Sequence, residues 1–304
     1  MFAAPPIVET EVFASLPAEW RFTNETEWSR RRGSGPLHSF LEGPSFDRQG
    51  NFYCVDICHG RIFKLTPAGE WSLFKRYDGA PNGLKIHRDG RLFVTDQFQG
   101  LLILDPENGK ILHCVEGPAG ERFNALNDLV FAEDGTLYFT DPGGASLENP
   151  VGRIFRWREG GPVELVAEGL TYPNGLVFDE GNKALLIALS RTLQIIRAPL
   201  NPESPLAHKL GLFIQLSGGL AGPDGLALDE HGGLVVCHSG LACAWLFDRL
   251  GEPIARIKSC AGIRVTNAAY GGPDRKTLYL TESEQGVILK ARMATPGRVM
   301  FSHR

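Results

Sequence analysis

Short apolar runs alternate with tight turns along nearly the whole chain. Turn signals recur about every 8–12 residues and almost no stretch carries the 3.6-residue apolar period, which predicts an all-β protein. Six of the runs open on an oxygen-bearing side chain: Glu42-Gly-Pro-Ser-Phe, Asn82-Gly-Leu-Lys-Ile, Asn127-Asp-Leu-Val-Phe, Asn174-Gly-Leu-Val-Phe, Asp224-Gly-Leu-Ala-Leu and Asn267-Ala-Ala-Tyr-Gly. In the middle four of the six, apolar residues fall at the second and fourth places after the opener, as in Leu84 and Ile86 or Leu176 and Phe178. That period of two is the signature of a strand with one buried face.

Successive openers are 40, 45, 47, 50 and 43 residues apart, and the units they begin share a common plan. A turn such as Asp89-Gly90 or Asp134-Gly135 comes first, supplying residues that tolerate a tight hairpin. Second strands come next: Phe52–Asp56, Leu92–Asp96, Leu137–Asp141, Leu234–His238 and Leu278–Glu282. Third strands read as Arg61–Leu65, Leu101–Leu104, Arg153–Trp157 and Gly286–Lys290, and fourth strands as Trp71–Phe74, Ile111–Val115 and Val163–Val166. Four antiparallel strands repeated six times predict a six-bladed β-propeller over residues 37–304. Residues 1–36 are expected to supply a closing strand, Glu9–Phe13, and an irregular Trp- and Arg-rich cap loop. The alternative closing segment is Gly297–Phe301.

Propeller geometry turns the periodicity into a site. The first strand of every blade lines the central channel, so equivalent openers share one height on one axis. Glu42, Asn82, Asn127, Asn174, Asp224 and Asn267 are therefore expected as a ring at one mouth of the channel. Each alone would be an ordinary turn residue. Six at matched positions, with no His or Cys among them, point instead to a hard divalent cation. Ca²⁺ is the expected ion, with Mg²⁺ or Mn²⁺ next; the all-oxygen set argues against a typical zinc site.

The remaining composition narrows the partners. Among 304 residues, 43% are hydrophobic, 22% are charged and the formal net charge is −4, so no global basic field favours nucleic acid or an anionic membrane. Arg30-Arg31-Arg32 reads as a solvated loop. No signal-peptide pattern and no run of about 18 apolar residues is present, which leads to the expectation of a cytoplasmic monomer or small homo-oligomer. Six cysteines show no CxxC pair, and Gly-x-Ser-x-Gly, the serine-hydrolase elbow, is absent.

At the openers the chain resembles the family of senescence marker protein (regucalcin), gluconolactonase and luciferin-regenerating enzyme. The matching motifs are Glu42-Gly-Pro, Asn127-Asp128-Leu129 with Asp134-Gly-Thr-Leu-Tyr-Phe-Thr-Asp-Pro142, Pro173-Asn174-Gly175 and Pro223-Asp224-Gly225, within about residues 38–293. The resemblance implies a six-bladed propeller that hydrolyses a lactone with one divalent ion, usually Ca²⁺, with other metals such as Mg²⁺, Mn²⁺ or Zn²⁺ as alternatives. Carried over by motif, it implies Glu42, Asn174 and Asp224 as metal ligands and Asn127 as ligand or substrate contact. Those sugar-lactone members that carry an Arg two positions before this Asn use it against the substrate; here the position is Ala125.

A small-molecule lactone or ester is thus the expected substrate, with Asp224 as catalytic base or as ligand only. Two alternatives stay open: a calcium-dependent phosphotriesterase-type hydrolase with Asp224 as nucleophile, and a non-enzymatic propeller in which calcium serves stability. Asn82, Asn127, Tyr172, Arg191, His238 and Asn267 are the candidate substrate-binding residues, with Phe98 nearby. Loop 143–150 reads either as a lid or as a surface excursion.

Overall fold

The computed structural model describes residues 4–201, 204–207 and 209–304; residues 1–3 of the expected N-terminal unit lie outside them. Each repeat folds as a four-stranded antiparallel sheet, and the six sheets close into a propeller. Blade one is Leu41–Phe46, Phe52–Asp56, Arg61–Leu65 and Trp71–Arg76. The first strands of the other blades are Pro81–Ile86, Leu129–Phe131, Pro173–Phe178, Gly222–Leu228 and Val265–Gly271. These inner strands pack side by side around the axis.

The core is six separate clusters, one in each gap between neighbouring blades. Val55 and Ile62 of blade one meet Leu84, Val94 and Leu102 of blade two, for example, and all five are 0% exposed. Alternation explains this placement. One face of a sheet meets the blade before it and the other meets the blade after, so both faces are apolar in the middle strands and only the outer strands read as half polar.

The ring closes through the N-terminus. Glu11–Ser15 pairs antiparallel with Val287–Arg292 and completes blade six. It begins two residues later than the sequence pattern suggests because Ile7–Glu9 is used elsewhere, as a parallel fifth strand on Pro253–Lys258 of blade five. Gly297–Phe301 makes only an isolated bridge, Gly297 to Asp229. The chain end instead crosses the far mouth of the channel. There the Ser302 hydroxyl donates to the Phe46 carbonyl (3.0 Å) and Phe301 stacks on Phe131 with centroids 4.7 Å apart.

The cap differs from the irregular loop expected. Glu27–Arg32 is a helix whose start is fixed by a capping box, Thr26 Oγ1 accepting from Ser29 N–H while Ser29 Oγ accepts from Thr26 N–H. Gly33 ends it at φ 65°, a left-handed conformation that favours glycine. A six-residue helix has little stability alone. Trp28 holds it down: the indole is 4% exposed, packs on Phe40, Ile57, Cys58 and Ala80, and donates to Gln97 Oε1 at 2.9 Å. No helix among the described residues is long and apolar enough to cross a membrane.

Candidate functional site

Local irregularity aims the openers inward. In five blades the pairing between first and second strands slips beside the opener: Glu42/Ser45, Pro81/Gly83, Pro173/Leu176, Pro223/Leu226 and Val265/Asn267. In the third blade regular pairing starts only at Leu129, after Asn127 N–H has bonded Thr140 O at 2.9 Å. Such bulges break the two-residue alternation and turn a polar side chain into the channel while the next residues return to the apolar pattern. The glycine after an opener permits the tight radius. A Cβ on Gly175 would lie 2.5 Å from the Asp224 carbonyl oxygen, and one on Gly225 would lie 2.0 Å from Asn267 Cγ.

Hydroxyls on or near the second strands then tie four of the six opener segments to the blade before them. Thr140 Oγ1 donates to Asn174 O at 2.8 Å, Ser190 Oγ to Pro223 O at 2.7 Å and Ser283 Oγ to Leu41 O at 2.6 Å; Thr95 does the same to Asn127 O. The ring is thus held by the backbone of neighbouring blades.

Glu42, Asn82, Asn127, Asn174 and Asp224 line one open cavity, together with Arg32, Phe40, Gln97, Tyr172, Ser190, Arg191 and Ser239. Its empty volume is about 530 Å³. The sixth opener, Asn267, lies outside this lining. It is 2% exposed, and its amide donates to Glu42 Oε2 at 2.9 Å and to Asp128 Oδ2 at 3.3 Å. Asp128 is the residue that sequence reasoning missed. Glycine comes after the opener in four repeats, as Gly43, Gly83, Gly175 and Gly225, but the third has Asp128 in that place. That departure was the available signal.

Three carboxylates therefore share the channel, and among the described residues none of them forms an ion pair. Burial pushes Glu42 well above the usual carboxylate range, and the charges of Asp224 and Asp128 push it further. Burial likewise raises Asp128, against the opposing pull of Lys85 and the Leu129 N–H. Asp224 is pushed up to about 7 by burial, with Arg32 and Asn174 pulling it down and Asp128 adding to the rise. Acidic groups gathered here without a direct ion pair and flanked by amide oxygens have the chemistry that could hold a hard divalent cation.

A second cluster, Asp56, Cys58 and His59, brings its ligand atoms within 4.8 Å of one another. Its chemistry is structural. Asp56 is ion-paired to buried Arg61 at 2.5 Å and accepts from Phe40 N–H at 2.6 Å. Asp96, Asp141 and Glu282, at the same place in their blades, also accept backbone N–H groups from the adjoining loops.

The other candidate residues fall in different places. Tyr172 and Arg191 line the cavity as a pair, the guanidinium 4.7 Å from the ring centroid. Tyr172 has φ 66°, an uncommon conformation for an aromatic residue. His238, expected to contact substrate, is 0% exposed and absent from the lining. Its Nε2 bonds Gly218 O at 3.0 Å and its Nδ1 accepts from Trp245 Nε1 at 3.3 Å, so both nitrogens are engaged, and burial lowers its pKa. Phe98 sits under Arg31, and no residue of loop 143–150 reaches the cavity wall. Of the arginine run, read as solvated, Arg30 and Arg31 pair with Glu27, but Arg32 turns to the cavity.

Fold and site together define a six-bladed propeller with an oxygen-donor ring at one mouth of its channel. The family described as the SMP-30/Gluconolactonase/LRE-like region matches residues 40–284, and the chain belongs to that family. Lactonase drp35 of Staphylococcus aureus is 30% identical over 227 residues, covering 71% of this chain and 69% of the relative. Among solved structures, regucalcin from Agrobacterium tumefaciens, described as a calcium-binding protein, superposes with a TM-score of 0.79 at 19% identity over 99% of this chain and 100% of that one. A gluconolactonase from Xanthomonas campestris gives 0.74 at 20% identity, covering 97% and 99%. These two structural likenesses bear on the fold.

Proposed function

We propose that this protein hydrolyses a lactone and that it does so with a divalent cation held by Glu42, Asn127, Asn174 and Asp224, Ca²⁺ being the ion their all-oxygen chemistry favours. The observation that carries the reading is the placing of buried Glu42 and half-buried Asp224 on one open cavity, with buried Asp128 linked to Glu42 through the Asn267 amide, none of the three making an ion pair among the described residues. Family membership and the lactonase activity named for the staphylococcal relative support the reaction class.

When bound, such a cation supplies Lewis-acid polarisation of the ring carbonyl and stabilises the oxyanion that develops on attack. The chain's own groups do the rest. Asp224 lies on the cavity wall, where its carboxylate can take a proton from the attacking water. Asn174 and Ser239, both on the cavity wall, favour the ionised form of that carboxylate. Asn267 is spent on Glu42 and Asp128, so it orients the ring from below. Asn82, Tyr172 and Arg191 are left to position the substrate.

The test is Asp224→Asn assayed on a panel of sugar, aliphatic and aromatic lactones with one phosphotriester added, alongside direct metal analysis. With the ion retained, lactone turnover is expected to fall by roughly 10²-fold or more, the scale of a lost general base. Unimpaired turnover would remove Asp224 from that role. A phosphotriester hydrolysed faster than every lactone would overturn the substrate class.

A further inference from the structure

Two guanidinium groups at the cavity mouth make no direct ion pair among the described residues, although the charge of Arg32 is felt by Asp224. Arg30 and Arg31 each reach Glu27, at 2.9 and 2.8 Å, but Arg32 at the end of the same helix makes no ion pair among the described residues. Its guanidinium rests 5.0 Å from the centroids of both Trp28 and Phe40. Arg191, from the turn after the second strand of blade four, is likewise without a carboxylate among the described residues and lies on Tyr172. Both side chains line the cavity above the carboxylate–amide ring.

Neither position is casual. The cap helix is anchored by Trp28, whose indole N–H is bonded to Gln97 in the cavity wall. On the other side, the Tyr172 carbonyl accepts from Ser190 N–H at 3.1 Å, and Arg191 N–H bonds Thr171 O at 3.4 Å. Aromatic faces fix the plane of a guanidinium while leaving its N–H edge free to donate. A fork of donors held this way and left without a carboxylate fits an anion bidentately.

We propose that Arg32 and Arg191 form an anion subsite, and that the substrate is a lactone bearing a carboxylate or phosphate substituent. The charged group sits at the guanidinium edges while the ring carbonyl points down to the ring of openers. This deepens the lactonase reading and rests on it for the reaction, though not for the binding. Arg32 belongs to the cap rather than to any repeat, so the contact lies outside the periodic pattern.

The test separates binding from turnover. Tetrahydrofuran-2-carboxylate, its carboxamide and tetrahydrofurfuryl phosphate keep a five-membered ring but have no lactone carbonyl to attack. Their affinities are measured by calorimetry on the metal-loaded protein, for the wild type, Arg32→Gln and Arg191→Gln. Circular dichroism and thermal unfolding check that each variant is folded. At least one anion is expected to bind about tenfold tighter than the amide, the scale of one or two charge-assisted hydrogen bonds, and each substitution is expected to shrink that ratio towards one. Whichever of carboxylate and phosphate shows the larger ratio identifies the substituent. Equal affinity for anions and amide overturns the proposal, as does an anion preference that survives both substitutions, because the anion would then be reading the metal. Failure of a carboxylate-bearing lactone to turn over, in protein that binds the ring analogue this way, would count against lactone hydrolysis alone.

Discussion

At the scale of single residues, the three channel carboxylates make stability depend on pH. Glu42, Asp128 and Asp224 all have pKa values raised in the folded chain, Asp224 to about 7. An unfolded carboxylate titrates near pH 4, so between about 4 and 7 the folded state binds more protons than the unfolded state, and stability falls as pH rises through that window. A cation that replaces those protons removes the penalty. In EDTA the melting temperature should therefore drop between pH 5 and pH 8, and Ca²⁺ should restore more of it at pH 8 than at pH 5. A melting temperature in EDTA that ignores pH would mean that the three acids ionise without cost, which contradicts their burial. Asp128→Asn removes one of these charges and should weaken Ca²⁺ binding about tenfold or more, as loss of a group supporting the ligands does in other metal sites; calorimetric titration checks it.

At the scale of the blade, the first strand is a compromise between regular pairing and an inward polar residue. The bulge provides the second and glycine makes room for it. Gly225→Ala puts a methyl group into the space of Asn267, 2.0 Å from its Cγ. It should uncouple Asn267 from Glu42 and Asp128, cutting activity more than stability. Activity and unfolding measured on the same preparation decide this, and a variant as active as the wild type would show that Asn267 has no hand in orienting the ring. Thr140→Val, by contrast, removes a hydroxyl that ties blade three to blade four through Asn174 O. Its expected cost is about 1–3 kcal/mol, because the buried carbonyl is left without that partner.

For the whole molecule, stability rests on closure. The six apolar clusters form only when every blade has a neighbour on each side, and Glu11–Ser15 supplies the last edge of blade six. A chain lacking residues 1–15 should lose cooperative unfolding or melt several degrees lower, since the Val287–Arg292 edge is left unpaired. A truncated chain that melts with the full chain would mean that the N-terminal strands are ornamental.

What repeats along the chain could be read from its residues. Six units, four strands each, the turns between them and the oxygen chemistry of the openers were all legible, because each blade must set the same side chain at the same radius and so leaves the same local pattern. Even Asp128 was written there, as the one acidic residue in a column of glycine and alanine, although its place beside Glu42 was not. Tertiary structure alone decided the rest. It turned Arg32 into the cavity, buried His238 against Gly218 and Trp245, set Ile7–Glu9 on blade five and sent the C-terminal segment across the far mouth. Those outcomes depend on contacts between elements that occur once, and such contacts exist only after the ring has closed. No period along the chain can encode them.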